Sequence, residues 1–391
     1  MADQAFWSGK CSTWSDLECA VPNPLSRPPV PRRLPPRLLV RAALGLRELL
    51  RAAADAVVPP QLALHDHLVG LGKTHALRAF VRLGVADLLA EGGRTSAELA
   101  TATGVDPDAL HRLLRGLAVY RLVRLDAEGR FHETRLGRVL RRDVHASLAP
   151  FAEYLGSGSN AAAWGDFETT VRTGKNAFER LHGMSVWDWF ERHPDERATF
   201  AASMASLTEL EGPAIVNLYP FAEVQRVCDV GGGRGTLLAL LLERHAHLRG
   251  VLMDSPGVLD AARVFLAERG VLARVELVPG SFFEGVPAGA DAYLLKNVLH
   301  DWDDARSAAI LGRCRESMAS GARLLLVEEI VETDTVSGTG PLSDLQMMTV
   351  CSEGRERGRS DYARLLGGAG FTLRRVFGLG AGASVLEGIA S

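Results

Sequence analysis

Four glycines occupy five consecutive positions within CDVGGGRGTL, the segment from Cys228 to Leu237. An apolar run precedes the glycines and a leucine-rich run follows them, so the segment predicts a tight turn from a β-strand into an α-helix. Glycine lacks a Cβ atom, which allows left-handed backbone conformations and a close approach to a ligand. This feature constrains the fold most, because such a loop is typical of nucleotide-binding α/β sheets.

The spacing of the glycines separates two kinds of nucleotide loop. Dinucleotide sites use G-x-G-x-x-G, and Gly231 and Gly233 match that pattern, but its last position is Thr236. The pattern acidic-x-G-x-G-x-G is complete, since it also includes Asp229 and Gly235. A carboxylate at the strand end suits a cationic amino group better than a pyrophosphate. The loop therefore favours S-adenosylmethionine over a dinucleotide.

A second carboxylate, Asp254, follows the next apolar strand, LRGVLM, 25 residues after Asp229. In nucleoside-binding α/β folds, a carboxylate at the end of the second strand accepts both ribose hydroxyls. An aspartate before Ser-Pro is also a common helix cap. The glycine loop upstream favours ribose binding.

Strand and helix patterns alternate from residue 225 to the end of the chain. Alternation of this kind predicts a mostly parallel sheet with helices on both faces. Ligands of such sheets lie beyond the carboxyl ends of the strands. The candidate residues all fall at those ends.

A helix-turn-helix is predicted before this α/β region. Thr95 can cap a first helix, Gly104 ends it, and Asp106 starts a second. The following LVRLDAEGRFHET alternates around a turn and predicts a hairpin, so the whole is a winged helix. The second helix offers only Arg112 and Arg115 for phosphate contact, which favours a structural or dimerising role over DNA binding.

The chain divides into three predicted regions. Residues 1–36 are rich in proline and predict a disordered tail, residues 37–211 a helical winged-helix domain for dimerisation and substrate contact, and residues 212–391 a cofactor-binding catalytic domain. Gly212-Pro213 is the expected hinge. Within the second region, Leu38–Val58 has helical spacing with arginines on its polar side. A surface helix or a dimer arm is favoured there over a membrane-lying segment.

Composition excludes several classes of protein. The net charge of −3, with basic and acidic residues interspersed, argues against a nucleic-acid partner. The five cysteines form no C-x-x-C pair, which fits a reducing compartment better than a disulfide framework or a zinc ribbon. No apolar run is long enough to cross a bilayer and no secretion signal is evident, so we expect a cytoplasmic protein without membrane contact.

Residues from about 62 to 391 resemble the plant- and bacterial-type small-molecule O-methyltransferases that use S-adenosylmethionine. The motifs that carry the resemblance are DVGGGRGTL, LKNVLHDWDD, LLLVEE, GRERGRSDYARLLGGAGF and AFERLHGMSVWDWFERHPDERATFAASM. The resemblance implies a Rossmann-like, seven-stranded methyltransferase domain preceded by an all-helical, winged-helix dimerisation domain. It further implies S-adenosylmethionine as cofactor and an intertwined homodimer.

The same resemblance implies roles for individual residues. Gly231 and Asp254 would hold the methionine and ribose ends of the cofactor, and Lys296 would approach the methionine carboxylate or the loop backbone. His300 would be the base, flanked by two carboxylates, Glu328 and Glu356. A neutral imidazole, with a pKa near ~6.5, can accept the proton of a phenol, whose pKa is ~10. The alternative for this histidine is a cap on the helix that follows it.

One position departs from the family. The family usually carries an acidic residue in a Gly-Asp-Phe-Phe turn, whereas this chain has Ser281 followed by Phe282. A serine hydroxyl offers the adenine amino group a neutral and weaker hydrogen bond than a carboxylate does. We therefore expect weaker cofactor binding, with Phe282 still packed against adenine.

The acceptor is expected to be a small hydroxylated aromatic or polyketide-type molecule. The segment between Ala149 and Leu210 is rich in aromatic residues, most of them expected in the core and a minority facing a flat ligand. Trp164, Met347 and Asp301 are the candidate contacts, although Asp301 can instead orient the base or cap a helix. No metal is expected, because the histidine pairs 65/67 and 245/247 lack suitable partners.

Two alternative functions remain open. A protein of this fold can modify a polyketide without methylating it, and a winged-helix regulator can sense S-adenosylmethionine. Retention of His300, Glu328 and Glu356 favours methyl transfer over the first. The modest basic content disfavours the second.

Overall fold

The computed structural model describes residues 37–334, 338–379 and 382–391, so the predicted tail, residues 1–36, lies outside the described residues. The helices are α1 Arg37–Ala56, α2 Pro60–Leu68, α3 Gly70–Arg82, α4 Val85–Leu88, α5 Ser96–Thr103, α6 Pro107–Val119, α7 Ala149–Leu155, α8 Gly158–Gly165, α9 Phe167–Thr173, α10 Ala177–His182, α11 Val186–Arg192, α12 Pro194–Leu218, α13 Thr236–Arg244, α14 Pro256–Glu268, α15 Asp304–Ser317, α16 Gly340–Val350 and α17 Arg359–Gly368. The strands are β1 Arg94–Thr95, β2 Val123–Leu125, β3 Arg130–Glu133, β4 Arg226–Val230, β5 Arg249–Asp254, β6 Val275–Pro279, β7 Ala292–Lys296, β8 Arg323–Glu328, β9 Phe371–Gly378 and β10 Ser384–Ala390.

The large sheet has seven strands in the order β6-β5-β4-β7-β8-β10-β9. The five neighbouring strands β6, β5, β4, β7 and β8 are parallel to one another. Strand β10 pairs antiparallel with both β8 and β9. The predicted Rossmann-like α/β fold is confirmed. Because β4, β7 and β8 are parallel neighbours, the residues at their carboxyl ends meet at one edge of the sheet.

Each face of this sheet carries its own buried apolar core. One core includes the leucines of α13 together with Leu259 and Leu266 of α14. The other includes Ile310 and Leu311 of α15 and residues of α17. Strands buried on both faces read as nearly continuous apolar runs, as the sequences of β4, β7 and β8 do.

The predicted winged helix is confirmed. Thr95 accepts a hydrogen bond from the backbone of Glu98 in a capping box at the start of α5, and Asp106 caps α6. Gly104 ends α5 in the left-handed conformation, with φ 68°. Strands β1, β3 and β2 form the small antiparallel sheet that contains the hairpin.

The predicted hinge at Gly212-Pro213 is wrong, because α12 continues through both residues to Leu218. Both are buried, and a Cβ atom on Gly212 would lie 2.3 Å from a methyl carbon of Leu240. Close packing against α13 therefore holds the helix together despite the hydrogen bond that proline removes. A single helix of 25 residues thus runs from the helical region onto the sheet.

The helix predicted over residues 38–58 forms as α1, and its described residues are almost all exposed. No helix in the described ranges combines the length and the apolar character that crossing a membrane requires.

Candidate active site

The glycine loop lies between the end of β4 and the start of α13, as predicted. Gly231, Gly233 and Gly235 have φ values of 68°, 59° and 79°, a left-handed region that glycine adopts without strain. A Cβ atom on Gly232 would lie 2.5 Å from the carboxyl carbon of Asp229. The loop therefore presents bare backbone at the carboxyl edge of the sheet, as a nucleoside site requires.

Asp229 is a buried carboxylate, 1 % exposed, and neither of its oxygens has a hydrogen-bond partner among the described residues. Burial raises the pKa of Asp229 to about 7, the negative Asp254 adds to the shift, and Lys296 opposes it. A buried carboxylate without a partner is costly, so the position suits a cationic ligand group. The amino group of S-adenosylmethionine has that charge, and the residues present fit this cofactor.

Asp254 lies beside the same loop. One of its oxygens accepts the Gly233 N–H at 2.9 Å and the other accepts the Ser255 N–H at 2.7 Å. Ser255, rather than Asp254, is the residue that directly precedes α14. Asp254 thus orients the glycine loop, and its ribose contact stays a prediction.

The departure from the family pattern lies in the turn that follows β6. The Ser281 hydroxyl accepts the Phe283 N–H at 3.3 Å, so it is partly used within its own turn. A ring carbon of Phe282 lies 3.4 Å from where a Cβ atom on Gly231 would be. Phe282 therefore packs beside the loop, where a purine can lie against it.

Lys296, at the end of β7, lies 3.0 Å from a carboxylate oxygen of Glu211 on α12. This partner was missed by the sequence analysis, because nothing in the sequence of α12 distinguishes Glu211 from a surface glutamate. The pair links α12 to the cofactor edge of the sheet. The expected contact of Lys296 with the methionine carboxylate stays a prediction.

His300 lies in a short 3₁₀ turn, Leu299–Asp301, that follows β7. Its Nδ1 atom is 2.9 Å from an oxygen of Glu356 and 3.9 Å from one of Glu328, while Nε2 is 3.6 Å from Asp301. The cap of the following helix α15 is Asp303. The alternative in which His300 serves as that cap is therefore wrong, and so is the capping role considered for Asp301.

The charges around this imidazole dominate its titration. Burial alone would lower the pKa of His300, but the carboxylates of Asp301, Glu356 and Glu328 together raise it to about 10. Burial raises the pKa of Glu328 to about 7 and that of Asp301 to about 6. Three carboxylates around one imidazole are the electrostatic setting of an acid–base centre.

The two glutamates differ in their partners. One oxygen of Glu328 accepts the N–H groups of Val298 and Leu299 at 3.1 and 2.9 Å, and one oxygen of Glu356 accepts from the Ser343 hydroxyl at 2.7 Å. The remaining oxygen of each glutamate is buried without a hydrogen-bond partner among the described residues. In Glu328 the unpartnered oxygen is the one that lies 3.9 Å from Nδ1 of His300, whereas in Glu356 the oxygen that accepts from Ser343 is also the one that contacts Nδ1.

The same three side chains have the donor types of a metal site. Ligand atoms of His300, Glu328 and Glu356 lie within 4.8 Å of one another. The sequence analysis considered only paired histidines and missed this cluster. Hydrogen bonding between Nδ1 and Glu356 explains the arrangement of the cluster without an ion, so metal dependence becomes a matter for experiment.

Arg357 supports the turn that carries His300, and the sequence analysis missed it. It is 1 % exposed, and its guanidinium donates to the carbonyl oxygens of Leu299 and Trp302 at 2.8 and 2.6 Å and to Asp304 at 2.9 Å. The adjacent Glu356 contacts the imidazole itself. The dipeptide Glu-Arg, visible in the sequence as part of GRERGRS, therefore fixes both the ring and its backbone.

Two of the candidate acceptor contacts, Trp164 on α8 and Met347 on α16, belong to the helices beside this centre, which we call the helical side. The Trp164 indole N–H donates to Gln346 at 2.7 Å, and Gln346 donates to Asn160 at 2.8 Å. Met347 is half-buried against the aromatic cluster. Asp301 is half-buried and accepts from the thiol of Cys351 at 3.5 Å. Gln346 and Asn160 were not singled out from the sequence.

The aromatic segment forms one cluster rather than a fully buried core. Phe178 and Phe190 are buried, whereas Tyr154, Trp187, Trp189 and Phe200 are half-buried around them. Trp187 stacks on Trp302, which also meets Phe282 edge to face at 6.3 Å between ring centroids. A continuous aromatic surface therefore connects the helical side with the cofactor edge.

The chain matches two family models. A model of the O-methyltransferase domain covers residues 164–372, and a model of the O-methyltransferase dimerisation domain covers residues 65–143. The mitomycin biosynthesis 6-O-methyltransferase of Streptomyces lavendulae is 36% identical over 333 residues, which are 85% of this chain and 93% of that protein.

Two solved structures are also similar. The N,N-8-amino-8-demethyl-D-riboflavin dimethyltransferase of Streptomyces davawensis is 34% identical with a TM-score of 0.73, covering 85% of this chain and 100% of that one. An O-methyltransferase from neocarzinostatin biosynthesis, in complex with S-adenosylmethionine and 2-hydroxy-5-methyl naphthoic acid, is 35% identical with a TM-score of 0.69, covering 82% of this chain and 96% of that one.

Proposed function

Because the chain belongs to the S-adenosylmethionine-dependent O-methyltransferase family, we propose that it methylates a phenolic hydroxyl of a small aromatic or polyketide-type metabolite, with His300 as general base. The observation that carries the proposal is the half-buried imidazole held by Glu356 at the sheet edge that also bears the glycine loop. A base and a donor site on one edge are what methyl transfer to a hydroxyl requires.

The cofactor residues have separate tasks. Asp229 pairs with the amino group of the methionine moiety, Asp254 accepts the ribose hydroxyls, and Phe282 packs against adenine. Bound S-adenosylmethionine supplies an electrophilic methyl group on a positively charged sulfur. The glycine loop leaves the room that this ligand needs, because no heavy atom lies within 4 Å of where a Cβ atom on Gly233 would be.

The imidazole performs the proton transfer. Glu356 accepts from Nδ1–H, so in the neutral ring the lone pair of Nε2 can take the proton of the acceptor hydroxyl. Because the pKa of His300 is raised from about 6.5 to about 10, close to the ~10 of a phenol, this neutral form is the minor one at neutral pH and its share grows as the pH rises. The carboxylates that raise the pKa of His300 then stabilise the imidazolium that forms. Proton removal of this kind contributes ~10²–10⁴-fold. Alignment of the reacting groups in a closed site contributes the larger share, through effective molarities of ~10⁵ M or more.

The acceptor binds between the helical side and the base. Trp164, Met347 and Asp301 contact it, and the aromatic cluster favours a planar ring. Relatives that methylate hydroxyls of aromatic metabolites support this assignment, whereas the riboflavin relative methylates nitrogen. An amine acceptor is therefore the second candidate.

The assembly proposed is a homodimer. The matched dimerisation domain, residues 65–143, supports association of two copies. The division of the chain into a helical dimerisation domain and a catalytic domain is part of the same proposal, with its boundary inside α12 rather than in a loop.

A methyl-transfer screen tests the proposal. Purified protein, S-adenosylmethionine and a panel of phenols and aromatic amines are incubated, and products are analysed by mass spectrometry for a gain of one methyl group. We expect methylated phenols, unchanged yield with a chelator, and His300→Ala that binds cofactor in calorimetry but loses ~10²-fold or more of its turnover. The exposed His75→Ala is the matched control.

Four outcomes would contradict parts of the proposal. Full turnover by His300→Ala would remove the histidine as base. Loss of activity with a chelator, restored by a divalent cation, would make the cluster a metal site. Methylation of amines alone would replace the phenolic acceptor, and cofactor binding without any methylated product would favour the non-methylating alternative.

A further inference from the structure

The helix α1 has one entirely apolar side. Positions spaced alternately four and three residues apart are all apolar, as in the seam of a coiled coil: Leu39, Ala43, Leu46, Leu50 and Ala53. The charged side chains lie on the opposite side. There Glu48 pairs within the helix with Arg47 at 3.4 Å and with Arg51 at 3.6 Å. Charged groups on the polar side therefore pair within the helix, and the apolar side is left for a partner.

This apolar side is uncovered. Of the 21 large apolar side chains that are exposed among the described residues, twelve fall within residues 38–71. Leu46 is 55 % exposed and Leu50 is 61 % exposed, and no described residue of α1 or α2 is buried. Contiguous apolar surface on this scale is rare on a monomer and marks an interaction site.

The surface continues into the dimerisation domain. Leu62, Leu64 and Leu68 of α2 and Leu71 of α3 are 57 to 73 % exposed. The dimerisation match begins at residue 65, within α2. The exposed surface and the domain that associates with a second copy are thus parts of one stretch of chain.

We propose that α1, which precedes the matched dimerisation domain, is a clasp that packs its apolar side against a second copy of this chain. We name residues 37–58 the arm. Contacts between identical subunits usually follow a two-fold axis, so the arms of both copies contribute equally to one interface. The inference rests on the homodimer of the proposed function and deepens it, because it assigns part of the interface to residues that precede the matched dimerisation domain.

A second copy explains the arm better than a lipid surface does. The four arginines of α1 are offset by Glu48 and Asp55, which leaves a net charge of +2 over twenty residues. Peripheral segments that bind anionic membranes carry clusters of four to eight basic residues with little acidic offset. The continuity with the dimerisation domain points to protein instead.

The test is the dissociation constant of the dimer, measured with the full chain by sedimentation over a dilution series. The variant Leu46→Glu/Leu50→Glu places two charges on the apolar side of the arm. We expect its dissociation constant to rise by about a hundredfold or more. The milder Leu46→Ala/Leu50→Ala should give an intermediate increase. The matched control is Val264→Glu, a substitution at an exposed apolar residue of α14 that should leave the value unchanged.

Cofactor binding and thermal unfolding of each variant show whether it folds. Equal dissociation constants for Leu46→Glu/Leu50→Glu and Val264→Glu, in folded proteins, would overturn the proposal, and so would a parent chain that is monomeric throughout. Flotation of the parent with vesicles of anionic phospholipid, abolished by the arm variant, would assign the arm to a membrane. Loss of methyl transfer with an intact dimer would concern the proposed function and not the arm.

Discussion

At the scale of single residues, the two sides of the His300 ring have different neighbours. Glu356 fixes the Nδ1 side at 2.9 Å, whereas the nearest carboxylate on the Nε2 side, Asp301, is 3.6 Å away and outside ordinary hydrogen-bond length. The first contact selects the tautomer, and the second leaves Nε2 free for an acceptor. Removal of the Glu356 charge should therefore alter the base without moving the cofactor.

The variant Glu356→Gln should shift the pH dependence of kcat/KM. The negative Glu356 raises the pKa of His300, so loss of its charge lowers that pKa and keeps the imidazole neutral down to a lower pH. The acid limb of the profile should move to lower pH by about one to three units, while kcat falls by roughly 10²-fold. Steady-state rates across the pH range, with cofactor affinity measured in parallel, check both effects.

The control for this variant is Glu353→Gln in the same loop, where the carboxylate is exposed and pairs with Arg306 at 3.2 Å. It should leave the profile in place. An acid limb that stays unmoved in Glu356→Gln, or moves to higher pH, would show that Glu356 does not control the charge of the base.

Some residue roles were predictable from the sequence and others were not. Asp229 was found because it lies at the end of an apolar strand before the glycine loop, and His300 because the family motif LKNVLHDWDD contains it. Glu211 and Gln346 were missed, because their partners come from distant segments and a helical glutamate or glutamine has no local mark. Only the packing of α12 and α16 shows what these two residues contact.

At the scale of elements, the 3₁₀ turn of His300 is too short to hold its own shape. Its backbone is held from outside by the buried Arg357 and by the Arg355 N–H, which donates to the His300 carbonyl at 2.7 Å. A guanidinium can bond several acceptors in one plane, which a lysine cannot. The loop that carries Glu356 thus also sets the position of the turn that carries His300.

The variant Arg357→Ala should lower kcat by about tenfold or more and leave cofactor affinity nearly unchanged, because the glycine loop has its own supports. Arg357 is a positioning residue, so millimolar guanidinium should restore part of the lost turnover. The exposed neighbour Arg355→Ala, whose backbone contact is kept, is the matched control. A purely structural role would lower the melting temperature without changing kcat at low temperature, and that result would contradict the assignment.

Element boundaries were predictable wherever a local rule decides them. Thr95, Gly104 and Asp106 mark the ends of α5 and α6 through caps and a left-handed glycine. Gly212-Pro213 misled the prediction because the same residues that end helices in isolation are tolerated where tertiary packing holds the chain. The buried contact of Gly212 with Leu240 has no counterpart in local sequence.

At the scale of the whole molecule, the proposed acceptor site is shared by two parts of the chain. The sheet supplies the cofactor edge and the proposed base, and the helices α7 to α11 supply the aromatic side. Besides α12, the two are joined through Gln346 on α16, which accepts from Trp164 and donates to Asn160 of α8. Acceptor binding should therefore depend on this junction, whereas cofactor binding should not.

The variant Gln346→Leu keeps the volume of the side chain but loses both bonds, so the indole N–H of Trp164 and the amide oxygen of Asn160 lose these partners. Two such hydrogen bonds at ~1 kcal/mol each correspond to an increase of about tenfold or more in the KM of the acceptor found in the screen. The affinity for S-adenosylmethionine should stay unchanged in calorimetry. Leu342→Gln, an exposed position on the first turn of α16, is the control. An unchanged acceptor KM with a weakened cofactor would mean that α16 serves the donor side, and the division of labour between helices and sheet would then be wrong.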